Sequence, residues 1–259
     1  AYISKELATI YKKVPIDIDF TAIKYMGPNE EELSSIYNEL EFYSFLKQRK
    51  VKPGKKELSF MTIMDPSEIE DTDIYAYYIE GDKENYHEAS IIGMSVVTKN
   101  NNYYIPKLLI KDTLEYLKDK SKYTYDLKKN ICLLKDENIL DKTIFDTMIA
   151  SYLLEENTKD DIAYLMIPKD YQVGFYSEVI KTGVSSKDIV MKSRFIYDTR
   201  DDYIKRIKLE DMESLFTNIE MPLIKVLANM ELNGIKCDSE VLKSMSLEVE
   251  KKIKALEER

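Results

Sequence analysis

The chain has 259 residues, 44% hydrophobic and 33% charged, with a formal net charge of −9. That length buries one sizeable core with smaller appendages. The acidic balance argues against a dedicated nucleic-acid-binding module, which gains affinity by neutralising phosphates. No apolar run is long enough to span a bilayer or to read as a secretory leader, so a cytoplasmic protein without a membrane segment is expected. Cys132 and Cys237 lie far apart and form no motif, which fits reduced, structural thiols.

In chain order, helical patterns come first, over Ser4–Tyr11 and then Asn29–Leu46. In the second, Leu33, Ile36, Tyr37, Leu40, Phe42 and Phe45 suit one face. Pro28 and Asn29 mark its start, and Glu31 and Glu32 favour its first turn. Residues 49–58, polar and basic around Pro53-Gly54, read as a solvated linker. From about 59 to 208 the pattern is mixed. Strands are predicted over Ile74–Glu80, Ala89–Thr98, Tyr103–Pro106, Tyr123–Tyr125 and Thr143–Phe145. Helices are predicted over 109–119, 127–135 and Asp146–Leu154. Periodicity supports an α/β or α+β class and nothing finer. After about residue 203 the chain reads as wholly helical, with Ile219, Leu223, Val226, Leu227 and Met230 on one stripe. Pro222 begins or kinks that helix. Asn233-Gly234 stops it, and Asp238 or Ser239 caps a final helix running to Arg259.

Asn218-Ile219-Glu220-Met221-Pro222-Leu223, running on to Glu231-Leu232-Asn233-Gly234-Ile235-Lys236-Cys237-Asp238, resembles the start of the polymerase domain in bacterial DNA polymerase I (family A). Glu84-Asn85-Tyr86-His87-Glu88-Ala89, leading into Ile91-Ile92-Gly93-Met94, resembles the same family, as does the run from Phe145 to Leu154. The opening Ala1–Ile10 resembles the last helical segment of that family's 5′ nuclease. The resemblance implies a ribonuclease H-like 3′–5′ exonuclease fold with helical N-terminal and C-terminal extensions. It divides the chain into a 5′ nuclease tail (1–48), a linker (49–58), an exonuclease-like domain (59–208) and the first thumb helices of the polymerase domain (209–259). The parent it implies is a DNA-directed DNA polymerase of replication and repair, with Mg²⁺ in its polymerase domain and DNA as its partner. The polymerase carboxylates would lie beyond Arg259.

Exonucleases of this superfamily use two divalent ions about 4 Å apart. Such ions want hard oxygen ligands, hence a cluster of carboxylates. The family supplies an Asp-x-Glu pair on its first strand, an Asp after its fourth, and an Asp in a Tyr-x-x-x-Asp motif on a late helix. Carried onto this chain, the pair falls on Tyr78 and Glu80, and the second Asp on Asp126. The last falls near Lys192-Ser193-Arg194, centred on Ser193, where no carboxylate stands. The resemblance therefore implies a degenerate, inactive site that holds no metal, with Glu80 and Asp126 as weak candidates for a single ion. The expected role is a structural scaffold without an activity or cofactor of its own.

Two other functions stay open. One is a weakened metal-dependent proofreading exonuclease using Glu80, Asp126 and Asp201, the last from Tyr197-Asp198-Thr199-Arg200-Asp201. Asp71-Thr72-Asp73 also looks like an acidic pair, although it precedes the strand and reads better as a solvated turn. The other is a single-stranded DNA-binding module using the basic run Lys47–Lys56 and the tyrosines; the net charge opposes it, and weak or no DNA binding by a monomer is expected. His87, the one histidine, has no Ser or Cys partner that would suggest a triad and reads as a hydrogen-bonded turn residue.

Overall fold

The computed structural model describes residues 58–258 apart from 137, 157–159 and 172. Below 58 it describes 5, 8–10, 15, 27–29, 32, 33, 36, 37, 40 and 42. The chain forms two compact units, 1–48 and 49–259. Most of the two helices expected in the first unit, and of the 49–58 linker, lies outside the described residues. Within that unit the Glu32 N–H donates to Asn29 Oδ1 (3.4 Å) and the Leu33 N–H to the Asn29 carbonyl (3.0 Å), as at a helix start.

The second unit is built on a six-stranded sheet in the order β1-β4-β3-β2-β5-β6. Its strands are β1 (Met61–Thr62), β2 (Ile74–Gly81), β3 (Ile91–Val97), β4 (Asn102–Pro106), β5 (Ser121–Thr124) and β6 (Thr143–Asp146). β2, β3 and β4 pair antiparallel, whereas β5 runs parallel to β2 and β6 parallel to β5. β1 is parallel to the edge strand β4 and was not expected. It is two exposed residues long, which leaves no periodicity to read.

β2 is buried from Tyr75 to Gly81, so both of its faces are covered. Its tyrosines tolerate this because their hydroxyls find partners. Tyr75 donates to the Glu70 carbonyl (3.0 Å), and the Tyr77 hydroxyl meets Thr143 Oγ1 (3.1 Å). On one face Tyr75, Tyr77 and Ile79 join Met94, Val96 and Ile105 in the main core. Leu114 of α1 (Ile110–Tyr116) and Ile131 of α2 (Leu127–Leu134) complete it. Lys122, only 1% exposed, donates to the carbonyls of Leu117, Lys118 and Lys120 at 2.7, 3.0 and 3.0 Å, closing the end of α1.

After α3 (Thr147–Leu153) come α4 (Ala163–Met166), α5 (Tyr176–Thr182) and the 24-residue α6 (Ser186–Leu209), which lies across the other face of β2 and β3. Among the described residues no strand follows β6, so the wholly helical region begins at Thr147, earlier than the expected 203. Pro222 does not break the next helix. It sits in the first turn of α7 (Met221–Asn233), which continues from a π-helical turn over Phe216–Glu220. α7 packs on α2 through Ile224 and Ala228, with Met221 half-buried beside them. The apolar stripe from Ile219 to Met230 faces solvent instead. Gly234 takes φ +66°, open to glycine at little cost. The Asp238 carboxylate then caps α8 (Ser239–Glu257), which ends two residues before the expected Arg259. Among the described residues no helix is long and apolar enough to cross a membrane.

Candidate functional site

Residues i and i+2 of a strand share a face, so Tyr78 and Glu80 project together from β2 towards α6. What meets them there is a lysine. Lys192 Nζ forms an ion pair with Glu80 Oε2, and the two side chains are 3% and 0% exposed. The same ammonium lies 4.8 Å from the centre of the Tyr78 ring and 5.9 Å from that of Tyr176. The Tyr176 hydroxyl donates to the Gly81 carbonyl (3.0 Å), which closes this end of the strand. A second cation, Lys129, stands 4.9 Å from the Tyr78 ring centre and donates to its hydroxyl (3.3 Å). Burial first, then the Glu80 charge, holds the Tyr78 phenol well above its ordinary value, so it is neutral.

Asp126 follows β5 in the left-handed region (φ 56°), which a short polar residue tolerates. Its carboxylate accepts the Lys129 N–H (3.0 Å) and so caps α2. Burial pushes the Asp126 carboxyl up, against the pull of the Lys129 charge and that hydrogen bond. Behind it Asp146 caps α3, accepting from the Met148 (2.8 Å), Asp126 (3.0 Å) and Leu127 (2.6 Å) backbone N–H groups. Burial, with the Asp126 charge next, raises the Asp146 carboxyl to about 7.

A family model described as the ribonuclease H-like domain of DNA polymerase I matches residues 77–183, which include Tyr78, Glu80 and Asp126. The DNA polymerase I of Bacillus subtilis is 28% identical over the whole of this chain. The chain is homologous to bacterial DNA polymerase I throughout its length. It spans about a third (32%) of that relative. Two solved structures share the fold. The polymerase domain of Mycobacterium smegmatis Pol1, in complex with DNA primer-template and dNTP, superposes with a TM-score of 0.57 at 16% identity, covering 75% of this chain and 36% of its own. Escherichia coli RNase D, an exoribonuclease, gives 0.51 at 8%, covering 67% and 51%. The strand order and these neighbours make the fold ribonuclease H-like, as the resemblance implied.

The polymerase I homology raises the question of whether two Mg²⁺ ions fit, and the donors present do not suit them. Tyr78 offers a neutral phenol, Glu80 is committed to an ammonium, Asp126 caps a helix, and two lysines stand where the ions' positive charge would fall. The remaining sequence candidates lie elsewhere. Ser193 turns to β3, its hydroxyl meeting Ser95 Oγ and donating to the Ser95 carbonyl (3.2 Å); the α6 residue that faces Glu80 is Lys192. Asp201 is 79% exposed beside Arg200, nine residues on from Lys192 or about 13 Å along the helix. Asp71 pairs with Lys120 (2.6 Å) in a surface groove also lined by Asp73, at the far end of β2. Lys129, Asp146 and Tyr176 were not singled out from the sequence. The signal for Lys129 was its place one helical turn after Asp126; Tyr176, far away in sequence, left none.

Proposed function

We propose that this chain is the part of a DNA polymerase I in which the exonuclease-like fold no longer trims DNA 3′ ends and serves as a platform for the polymerase domain. The observation that carries this reading is the buried Glu80–Lys192 ion pair beside Tyr78. An internal cation occupies the place where catalysis would need divalent ions, and the salt bridge supplies the charge balance that metals otherwise provide. The seating of α7 on α2 supports the platform role, because the helix that resembles the start of the polymerase domain is built into the exonuclease-like core. In this reading residues 1–48 are the tail of a 5′ nuclease, 49–58 a linker and 209–259 the first thumb helices. DNA is then a partner of the full enzyme, whose polymerase domain uses Mg²⁺, and the fragment is a cytoplasmic monomer that binds DNA weakly.

The test is degradation of a 3′-labelled single-stranded oligonucleotide with Mg²⁺ and then Mn²⁺, beside an Asp126→Ala control. The expected result is no loss of label above the control with either metal. Metal-dependent cutting that the control lacks would overturn the proposal. Deleting residues 59–203 from the full-length enzyme should lower its stability or processivity, and unchanged values for both would remove the platform role.

A further inference from the structure

At one point the junction between α7 and the exonuclease-like core is built from metal-binding side chains. Glu231 of α7 reaches towards His87, in the loop between β2 and β3, and Cys132 of α2. His87 Nε2 lies 3.2 Å from Glu231 Oε2, and Cys132 Sγ lies 3.7 Å from the same oxygen. The three ligand atoms are all within 4.8 Å of one another, the one such His/Cys/Asp/Glu group among the described residues.

We propose that His87, Cys132 and Glu231 form a binding site for a zinc-class divalent ion, independent of the exonuclease-type site. The geometry favours it. Tetrahedral zinc with ordinary bond lengths sets its N and O ligands about 3.4 Å apart, and its S about 3.6 Å from either. Two of the three edges already stand near those values, and the third needs to close by at most about 1.2 Å. The donor chemistry selects the ion. A mixed imidazole, thiolate and carboxylate set suits zinc and its neighbours, and does not suit Mg²⁺ or Ca²⁺. A divalent ion, one thiolate, one carboxylate and the Lys128 ammonium on that carboxylate together leave a single positive charge.

The surroundings hold the carboxylate ready. Lys128 Nζ takes the other oxygen, Oε1, at 2.6 Å, and the Tyr86 hydroxyl donates to Oε2 at 2.7 Å. Partners of this kind orient a ligand and are part of a working metal site. Access is open, since the His87 and Glu231 side chains are 45% and 29% exposed, so the fourth corner is free for water. Without metal, burial and the Glu231 charge push the Cys132 thiol up to about 11, so it is protonated at neutral pH. Binding therefore replaces the S–H bond by an S–metal bond and releases one proton to solvent. The bound ion would pin α7 to the core from three elements at once.

The experiment titrates the chelator-stripped protein with Zn²⁺ alone against a chromophoric chelator, and separately with Co²⁺ as a spectroscopic probe. The variants are Cys132→Ser, His87→Gln and, as a control, Cys237→Ser. His87 is exposed, so His87→Gln keeps the fold whatever Cys132→Ser does. The expected result is one equivalent of Zn²⁺ bound by wild type and Cys237→Ser, with affinity reduced roughly 100-fold in both site variants. A thiolate-to-cobalt charge-transfer band should appear in wild type and vanish in Cys132→Ser. No binding at micromolar Zn²⁺, or equal binding by the His87→Gln variant, would overturn the proposal and leave the cluster a hydrogen-bonded latch.

Discussion

Removing Lys192 tests the closed site most directly. In Lys192→Met the Glu80 carboxylate loses its one cation while staying fully buried, and its second oxygen, Oε1, already has no hydrogen-bond partner in the fold. Water cannot reach it, so the desolvation cost that the ammonium offsets is exposed in full. A broken buried pair of this kind costs about 3–5 kcal/mol. For a unit of this size, each kcal/mol is worth about 2–4 °C, so the melting temperature should fall by roughly 6–20 °C. Pairing the change with Glu80→Met removes both charges and keeps the volume, and should bring stability back to within about 1 kcal/mol of wild type or above it. The assay is urea unfolding followed by circular dichroism on wild type, both single variants and the double. A Lys192→Met cost below about 1 kcal/mol would refute the reasoning, because no buried charge would then have been left unpaired. So would a wild type that melts several degrees higher in Mg²⁺ while Glu80→Met does not, since that ion would have to displace Lys192.

Three further outcomes are expected. Asp146, raised to about 7 by burial and by Asp126, favours the folded state while protonated, a contribution complete below about pH 4 and lost as pH rises to about 7. Asp146→Asn mimics the neutral acid, so its stability relative to wild type should improve between pH 5 and pH 7.5; a constant difference in urea midpoints across that range would refute this. Lys122→Met removes the ammonium donor from three carbonyls, of which that of Leu117 keeps the Lys120 N–H (3.1 Å), and should cost about 2–3 kcal/mol in chemical unfolding. Asp201→Ala should change stability by less than about 0.5 kcal/mol and leave the nuclease assay unmoved, because that carboxylate is solvated beside Arg200.

Strands β2, β3, β4 and β6 were readable from the sequence because their aromatic and β-branched runs are short and bounded by turn residues, whereas β5 was read two residues late at its start. The predicted β2 misses only Gly81, and the predicted β6 only Asp146. The long α6 was not readable as a helix. Its first half is buried nearly all round, from Ile189 to Ile196, so no polar face alternates with an apolar one. The placement of Tyr78 and Glu80 followed from register on a strand, where the period is two and a slip is obvious. Lys192 could not be separated from Ser193 in the same way, because each step along a helix turns the side chain by about 100° and three consecutive residues face three directions. α7 misled for a related reason: it is apolar on several sides, and the side that packs carries Ile224 and a small residue, Ala228, while the larger Leu223, Leu227 and Met230 stay exposed.

The Glu80–Lys192 pair also acts as a ratchet. To build a carboxylate cluster here, the chain must change Tyr78 and Lys192 together. Lys192→Asp alone sets two acids against each other in a dry interior with no cation between them. Tyr78→Asp alone adds a second buried acid beside Glu80 with only Lys129 near it, and removes the ring on which Lys129 and Lys192 rest. Each single step lowers stability before a second carboxylate is in place, so a carboxylate cluster is not reached here one residue at a time.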